Sequence, residues 1–430
     1  MESQRKVASY EFSTKAVRDF IIELVQRETH NRFLPLLAKV HSEGSVVDIQ
    51  DLLLRFGFDN ICLLGFGVDM GCLESSLPEI EFAHTFDEAT RLTLKRFLWP
   101  IYVLPFLDFL ARFGIGTNSK LRNMVKVVDR FAQSVIEKRR QELKLRTAHE
   151  ESGELASKFS RGYSDLLSRF IQHDEETRGR NSVNAAAAMS DKYLRDIMLN
   201  FVLAGRDTSS VALTWFFWLL DQHPEVEKKM VEEVRSIRKA RKASLQEHEL
   251  SQKVVEGFTY EELREMHYVQ AAITELMRLY PPVPADTKTA ITDDYLPDGT
   301  FVQSGDRVSR ILSSTRFFQA GPRICLGKEM AYTQMKYLVA SILSSPYRFQ
   351  LLPQPSPKFE ISLTLKMKGG LMSTVRKDSC PGFDKVLRTS MRLNGEMAGP
   401  EELGLIASLK QKRAHPSWPG QETVESVTMG

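Results

Sequence analysis

The residue with the strongest claim to chemistry is Cys325, which lies in the segment FQAGPRICLG, Phe318–Gly327. A helix is predicted to begin directly after it, and the N–H groups at a helix N-terminus stabilise a thiolate and lower the pKa of a thiol. Gly321 and Gly327 allow a flat group to approach the backbone. Arg323 offers a guanidinium fork that suits a carboxylate. The segment therefore predicts a thiolate that serves as metal ligand or nucleophile, rather than an ordinary buried cysteine.

A second candidate is the acid–alcohol pair Asp207 and Thr208, in the segment AGRDTS that begins at Ala204. The segment falls in the centre of a long apolar helix, where glycine costs about 1 kcal/mol relative to alanine and an unpartnered carboxylate costs more. The threonine hydroxyl can donate to the carbonyl four residues earlier and bend the helix. We expect the segment to interrupt the helix. The pair then either relays protons in an opened groove or forms a structural ion pair at a kink.

A third candidate is the pair Glu275 and Arg278, three residues apart near the end of a predicted helix. At that spacing the two side chains share one helix face. Their neighbours Ile273, Leu276 and Leu279 indicate a largely buried setting. An exposed ion pair is the commoner arrangement for such residues, and the pair alone does not decide between the two.

The elements that must position these residues are mostly helices. Ser190 is expected to cap a long helix that ends before Pro224, and Thr259 with Glu262 to form a capping box on a helix that ends at Pro281. An amphipathic helix is predicted over Lys328–Ser345. The predicted strands are Tyr347–Leu352, Ile361–Met367 and Leu371–Val375. The predicted fold class is mainly α with small β-sheets.

The composition excludes several classes of protein. The chain has 430 residues, of which 42% are hydrophobic, enough for a large core. Its 4 cysteines form no C-x-x-C pair, which argues against a disulfide scaffold or a structural zinc site. A net charge of +3 argues against a nucleic-acid partner. The first residues, MESQRKVASYEF, contain no apolar signal-peptide core, and no run has the length of a membrane span.

Three further segments give weaker signals. Phe97–Leu110 is apolar but broken by prolines, and we predict a core segment. The alternative is a loop that dips into a membrane surface, since its Trp99 and Tyr102 suit an interface. The polar stretch Arg146–Met189 is predicted as a surface connection with one or two helical turns at Leu166–Ile171. The polar, patternless tail from Asp378 onward is expected to be largely disordered.

Taken in this order, the three candidates resemble the signatures of the cytochrome P-450 family. The Cys325 segment matches F-x-x-G-x-R-x-C-x-G, the Asp207 segment matches the oxygen-activation motif, and Glu275 with Arg278 matches E-x-x-R. The resemblance runs from about Arg5 to Arg376. Within the family the chain looks most similar to the plant fatty-acid ω-hydroxylase branch. The stretches that carry this closer match are AGRDTSSVALTWFFWLL from Ala204, LYPPVP from Leu279, LPDGTFV from Leu296 and AGPRICLGKEMAYTQM from Ala320.

The resemblance implies a haem b cofactor, iron protoporphyrin IX, with Cys325 as the axial thiolate. It implies that Asp207 and Thr208 deliver protons to bound dioxygen, and that Glu275 and Arg278 brace the core on the haem side. The other residues implied to bind the haem are Arg5, Phe318, Gly321, Arg323 and Gly327. The residues implied to line the substrate channel are Ala204, Val283, Pro284 and Ala285.

The resemblance also implies partners and a location. NADPH–cytochrome reductase would supply electrons and dock where Arg316, Arg323 and Lys328 provide positive charge. A fatty acid and O2 would be the substrates. The family location is the endoplasmic reticulum membrane, and contact with a membrane surface is possible without an anchor, as is a cytosolic location.

Against the family pattern, this chain is expected to lack two segments. It starts inside the helix that carries Arg5, and several dozen family residues are absent between Arg310 and Ile311. The second gap includes an arginine that normally completes a triad with Glu275 and Arg278. We expect residues 1–377 to form a partial cytochrome P-450-like domain, followed by an unrelated tail, 378–430. A remnant that binds no haem, or a haem-binding module without turnover, remain the alternatives to a monooxygenase.

Overall fold

Helices account for most of the residues that the computed structural model describes. These residues are 5, 15–97, 99–100, 102–151, 165–172, 190–244, 257–311, 318–319, 321–353, 356–360 and 362–378. The predicted tail and most of the predicted connection between residues 146 and 189 lie outside this set. The predicted class, mainly α with small β-sheets, is confirmed.

The helices are α1 (Lys15–Glu28), α2 (Leu34–Glu43), α3 (Ile49–Phe66), α4 (Glu81–Phe97), α5 (Leu104–Arg112), α6 (Thr117–Glu151), α7 (Asp191–Gln222), α8 (Pro224–Ser244), α9 (Tyr260–Glu265), α10 (His267–Leu279) and α11 (Lys328–Ser344). A π-helical turn, Thr29–Phe33, joins α1 to α2. Residues 166–172 are also helical.

Three small antiparallel sheets accompany the helices in the described part of the chain. Their strands are β1 (Val47–Asp48), β2 (Ala285–Thr289), β3 (Asp294–Tyr295), β4 (Phe301–Val302), β5 (Arg307–Ile311), β6 (Tyr347–Leu351) and β7 (Met372–Lys377). One sheet has the order β1-β7-β6, with Phe349 opposite Val375. The others pair β2 with β5 and β3 with β4. Strand β5 runs without a break through the predicted junction between Arg310 and Ile311.

Helix α7 forms as its sequence predicts, with one difference. The Ser190 hydroxyl oxygen accepts a hydrogen bond from the Tyr193 amide at 3.2 Å and caps the helix. The expected interruption at the AGRDTS segment is wrong, because residues 191–222 form one continuous helix. Thr208 Oγ1 donates to the Ala204 carbonyl at 2.7 Å, which satisfies the hydroxyl without opening the helix.

Helices α3 and α7 pack closely where they cross in the core. Gly57 of α3 is buried there, and a Cβ atom on it would lie 2.8 Å from the carbonyl oxygen of Arg206. The Ser210 hydroxyl lies 2.7 Å from the carbonyls of both Leu53 and Arg206, so it joins the two helices. Trp215, one turn further along α7, is also fully buried. The glycine therefore permits a backbone approach that a larger residue would block.

Two predicted boundaries are wrong. Thr259 and Glu262 do form a capping box, but the helix ends at Glu265 and a second one begins at His267. The segment Ile361–Met367 contains no strand among its described residues. Instead, Met367 forms an isolated bridge with Phe359, and the segment turns back toward α7.

Two predicted exposures are also wrong. The segment Leu166–Ile171, expected at the surface, is buried, because its four apolar side chains enter the core. In the segment Phe97–Leu110, expected in the core, the Tyr102 side chain is 78% exposed and the Phe106 side chain is 60% exposed. Among the described residues, no helix combines the length and apolar character needed to cross a membrane.

The crossing of α3 and α7 yields a stability prediction. Replacing Gly57 by Ala places a methyl group against the Arg206 carbonyl and the Ser210 hydroxyl, so one helix must shift. We expect the free energy of unfolding to fall by about 1–3 kcal/mol, measured by urea denaturation.

The matched control is Gly65→Ala in the same helix. A Cβ atom there would meet nothing within 4 Å outside its own turn. Since alanine favours a helix over glycine by up to about 1 kcal/mol, this variant should be as stable as the parent or more so. Equal losses in both variants would contradict the close approach at Gly57.

Candidate functional site

The Cys325 loop is held in a closed turn just before α11. The Cys325 amide donates to the Phe318 carbonyl at 2.9 Å, and the Ile324 amide donates to the Gly321 carbonyl at 3.0 Å. Gln319 and Gly321 both adopt left-handed conformations, with φ of 61° and 73°. Left-handed backbone favours glycine, which accounts for Gly321 and makes Gln319 the strained member of the turn.

Phe318 and Gly327 anchor the two ends of this loop. The Phe318 ring packs against the Tyr332 ring of α11, with 5.2 Å between centroids. Gly327 is the N-cap residue of α11, and its carbonyl accepts from the Ala331 amide at 2.8 Å. A Cβ atom on Gly327 would have only the Cys325 sulfur nearby, at 3.9 Å. The thiol therefore lies immediately before the first turn of the helix, as the sequence predicts.

The electrostatics of Cys325 differ from the expectation for a helix N-terminus. Its side chain is exposed, yet the surrounding protein is sufficient for desolvation to raise the pKa of the thiol above its usual range. The Gly327 N–H and the charge of Arg5 act in the opposite direction but are outweighed. The predicted lowering of the Cys325 pKa is therefore wrong for the haem-free protein. Partial burial destabilises the thiolate by more than the Gly327 N–H and the Arg5 charge stabilise it.

Arg5 and Arg323 occupy different positions relative to the loop. The Arg5 guanidinium donates to the Ile324 carbonyl, so residues far apart in sequence meet beside Cys325. Arg323 lies in the 3-10 turn Gly321–Arg323 and is exposed. A Cβ atom on Gly321 would meet nothing within 4 Å, so this side of the turn is open. Arg316 lies outside the described residues.

A polar link that no sequence motif predicted ties the Cys325 loop to β2. The Gln319 amide nitrogen donates to Asp286 at 2.8 Å, and Lys288 donates to the Gln319 side-chain oxygen at 3.3 Å. Lys288 also pairs with Asp286 at 2.8 Å and, as the main cause, lowers the pKa of that carboxyl. This link fixes the strained residue of the loop, and the D-x-K spacing would have been its only local signal.

The residues predicted to line a channel fall into two groups, one beside this link and one on α7. Val283 and Pro284 are half-buried in the segment that leads into β2, whereas Ala285 is exposed and pairs with Ile311 of β5. Ala204 is exposed on α7. The two groups are joined through Leu365, which accepts a hydrogen bond from Trp215 of α7 and donates one to the Pro282 carbonyl.

Asp207 forms the ion pair that the sequence left as one of two alternatives. Its carboxylate is buried and lies 3.0 Å from the Lys366 ammonium and 3.8 Å from Arg206 Nε. Arg206 makes a bidentate bond to Asp87 of α4, at 2.5 and 2.7 Å. Thr208, next in sequence, is occupied by the Ala204 carbonyl.

Glu275 and Arg278 bind each other on α10. The guanidinium donates to both carboxylate oxygens, at 2.8 and 2.7 Å. This bond is the main cause of a raised pKa for Arg278. Both side chains are half-buried, but Leu279 is 45% exposed, so the setting is more open than predicted. Thr274, beside the pair, bonds to Tyr332 at 2.9 Å and so connects α10 to the helix after the Cys325 loop.

The class of protein is shown by comparison with known proteins. A family model described as cytochrome P450 matches residues 1–316 and 318–375. Cytochrome P450 86B1 of Arabidopsis thaliana is 38% identical over 419 residues, which cover 89% of this chain and 70% of that protein. Cytochrome P450 94A1 of Vicia sativa is 35% identical over 418 residues, which cover 87% of this chain and 72% of that protein.

Solved structures share the fold. The crystal structure of a cytochrome P450, CYP102L1, superposes with a TM-score of 0.67 at 16% identity, covering 87% of this chain and 81% of that one. The haem domain of cytochrome P450DA gives a TM-score of 0.63, at 18% identity. The chain belongs to the cytochrome P450 family. It is thus a member of a family of monooxygenases whose cofactor is haem and whose electrons come from a redox partner.

The residues of the loop fit that cofactor. Cys325 is an exposed residue, Arg5 supplies a positive charge beside it, and the open space at Gly321 leaves room for a flat group. A thiolate can bind the iron of a porphyrin, and a neighbouring guanidinium can pair with its carboxylate substituents.

The Glu275–Arg278 pair yields a second prediction. Glu275→Gln removes the counter-ion of a half-buried guanidinium, and we expect the free energy of unfolding to fall by about 1–3 kcal/mol. Glu265→Gln, on an exposed residue just before α10, is the control and should change stability by less than about 0.5 kcal/mol. Urea denaturation of both variants checks this, and equal stability of the two would show that the pair does not brace the core.

Proposed function

We propose that this protein hydroxylates the terminal carbon of a fatty acid. The reaction consumes the C–H substrate, O2, two electrons and two protons, and releases the alcohol and water. NADPH would supply the electrons through a reductase. The observation that carries the proposal is the exposed Cys325 thiol in its closed loop before α11. The choice of fatty acid rests on the resemblance of four stretches, among them the one from Ala204, to plant ω-hydroxylases.

The chain's own residues would hold the cofactor as follows. Cys325 would bind the iron, and the Gly327 N–H would stabilise the sulfur charge. Arg5 and Arg323 would pair with the carboxylates of the porphyrin, while Phe318 fixes the loop through its contact with Tyr332. When bound, the haem supplies the activation of dioxygen.

Asp207 and Thr208 would transfer the protons that the reaction consumes. The Thr208 hydroxyl donates its proton to the Ala204 carbonyl, and rotation about its side-chain bond would release it toward a reacting oxygen atom. Asp207 lies 3.0 Å from the Lys366 ammonium, and its carboxylate oxygens would accept and return a proton. Burial of Asp207 limits the access of bulk water to this step.

Substrate binding and electron supply would use separate parts of the chain. Ala204, Val283, Pro284 and Ala285 are small or apolar, which suits an alkyl chain that cannot make hydrogen bonds. Arg323 is exposed and Lys328 half-buried beside the Cys325 loop, so their charges would attract an acidic surface of the reductase.

The direct test is Cys325→Ala in the haem-loaded protein. The reduced, CO-bound parent should show the absorption band of thiolate-ligated haem and convert a fatty acid to its ω-alcohol with NADPH and a reductase. The variant should lose both, because alanine cannot bind iron. Its far-UV circular dichroism should not change, since Cys325 lies outside the buried core.

Three outcomes would contradict the proposal in different ways. Failure of the parent to take up haem would indicate a remnant of the family. A thiolate band without any product would indicate a haem-binding module. Product oxidised at an internal carbon would preserve the reaction type and refute the ω position.

We further propose that the aromatic segment around α5 contacts a membrane surface. Trp99, Tyr102, Phe106 and Phe109 are each more than half exposed, at 51%, 78%, 60% and 53%. Several arginines, Arg96, Arg112 and Arg122, lie in the same stretch of chain. Exposed aromatic rings with neighbouring cations are the composition of an interfacial segment on an anionic bilayer.

Vesicle binding tests this surface. Replacing Trp99, Phe106 and Phe109 together by Ala should weaken binding to vesicles with one-fifth or so of anionic lipid by at least about tenfold, measured by co-sedimentation. The control replaces Tyr295 and Phe301, an exposed ring pair on the β3–β4 hairpin, and should have little effect. The opposite ranking of the two variants would place the contact elsewhere.

A further inference from the structure

Lys366 lies between two carboxylates, those of Asp87 and Asp207. Its ammonium nitrogen lies 3.0 Å from Asp207 Oδ2 and 3.6 Å from Asp87 Oδ1. We propose that Lys366 is a positioning residue that holds the Asp207 carboxylate in place for proton transfer. This inference rests on the proposed function, since it concerns the same acid.

Lys366 is the nearer of the two cations that approach Asp207 within the described part of the chain. The other, Arg206, has its Nε at 3.8 Å and uses both terminal nitrogens for Asp87. The Lys366 ammonium lies within hydrogen-bond distance of the Asp207 carboxylate, whereas Arg206 Nε does not. Lys366 is therefore the cation placed to fix the direction of this carboxylate.

The charges of this cluster balance. Two carboxylates, Asp87 and Asp207, face two cations, Arg206 and Lys366, and only Asp87 is substantially exposed, at 39%. Burial opposes ionisation of Asp87, but the two cations overcome it and lower the pKa of that carboxyl. Loss of Lys366 would leave a net negative charge beside a buried carboxylate, which is costly.

Other groups that face the cluster cannot replace Lys366. From α3, Phe58 presents its ring to Arg206 at 5.1 Å, and the Cys62 thiol is fully buried. The Cys72 thiol is buried nearby, and burial raises the pKa of both thiols, so they stay neutral. Neutral thiols and an aromatic ring supply no positive charge to Asp207.

The backbone on each side of Lys366 is fixed by buried side chains. The Gln50 side chain bonds both the amide and the carbonyl of Met367, at 2.8 and 2.9 Å. The Trp215 indole donates to the Leu365 carbonyl at 2.8 Å. A lysine whose neighbours are bonded in this way has its Cα held relative to α3 and α7, which is the requirement for positioning another side chain.

Lys368, two residues further along, provides a matched control. It belongs to the same segment, KMKGG, but its side chain is exposed and forms no ion pair with any described residue. Lys366→Met and Lys368→Met therefore make the same chemical change inside and outside the cluster.

The first experiment measures turnover per bound haem with a fatty acid, NADPH and a reductase. Lys366→Met should lower kcat about 10- to 100-fold while KM changes by less than about twofold. Lys366→Arg, which keeps the charge, should recover part of the loss, and Lys368→Met should match the parent. In an Asp207→Asn background, Lys366→Met should have no further effect on kcat.

The second experiment does not need activity. Urea unfolding midpoints are compared for the parent, Lys366→Met, Asp207→Asn and the double variant. We expect Lys366→Met to lower the midpoint in the parent and to have a clearly smaller effect when Asp207 is already Asn, because the two residues are coupled.

The outcomes separate this inference from the proposed function. Parent protein that makes no product refutes the proposed function, while the urea comparison still tests the pairing. An active parent with an equally active Lys366→Met variant refutes the inference alone. Equal effects of Lys366→Met in both backgrounds, on kcat or on the urea midpoint, also refute it, since Lys366 would then act without Asp207.

Discussion

The close crossing of α3 and α7 is the constraint on which the rest of the described structure depends. Gly57 lets the two backbones approach until the Ser210 hydroxyl reaches carbonyls of both helices. This contact sets the rotation and the register of α7. Arg206 and Asp207 lie one turn before Ser210, so their directions follow from it. A bulkier residue at the crossing would move the acid of the site as well as the core.

From α7, a chain of hydrogen bonds leads to the Cys325 loop. Trp215 donates to the Leu365 carbonyl, and Leu365 donates to Pro282, just before β2. Asp286 of β2 then accepts from Gln319, the strained residue of the loop. The acid and the thiol come from segments more than a hundred residues apart. Their relative position is thus set by a few buried polar contacts as well as by apolar packing.

The position of the thiol has an electrostatic cost. Desolvation raises the pKa of Cys325, although the Gly327 N–H and Arg5 favour the thiolate. A bound metal cation would remove this cost, because a coordinating thiol loses its proton. The loop is therefore better suited to a thiolate that carries iron than to a free nucleophile.

Sequence alone predicts the features that depend on local geometry. The Ser190 cap, the capping box at Thr259 and the loop before α11 all follow from short spacings. The features it missed depend on distant contacts. The local sequence does not distinguish Lys366 from Lys368. The bonds of Gln50 to Met367 and of Trp215 to Leu365 fix the backbone on both sides of Lys366, whose side chain reaches Asp207.

The exposed segment around α5 shows a related limit of sequence reasoning. Hydrophobicity alone suggests a core position for it, but the rings of Trp99, Tyr102, Phe106 and Phe109 are exposed. The missing family segments and the tail remain predictions.

Cysteine alkylation tests whether Cys325 binds the haem iron. Iodoacetamide labelling is compared by peptide mass spectrometry in the haem-free and haem-loaded protein. We expect Cys325 to be labelled without haem and protected with it, while buried Cys62 and Cys72 remain unlabelled in both. Equal labelling of Cys325 in the two states would contradict iron binding by this residue.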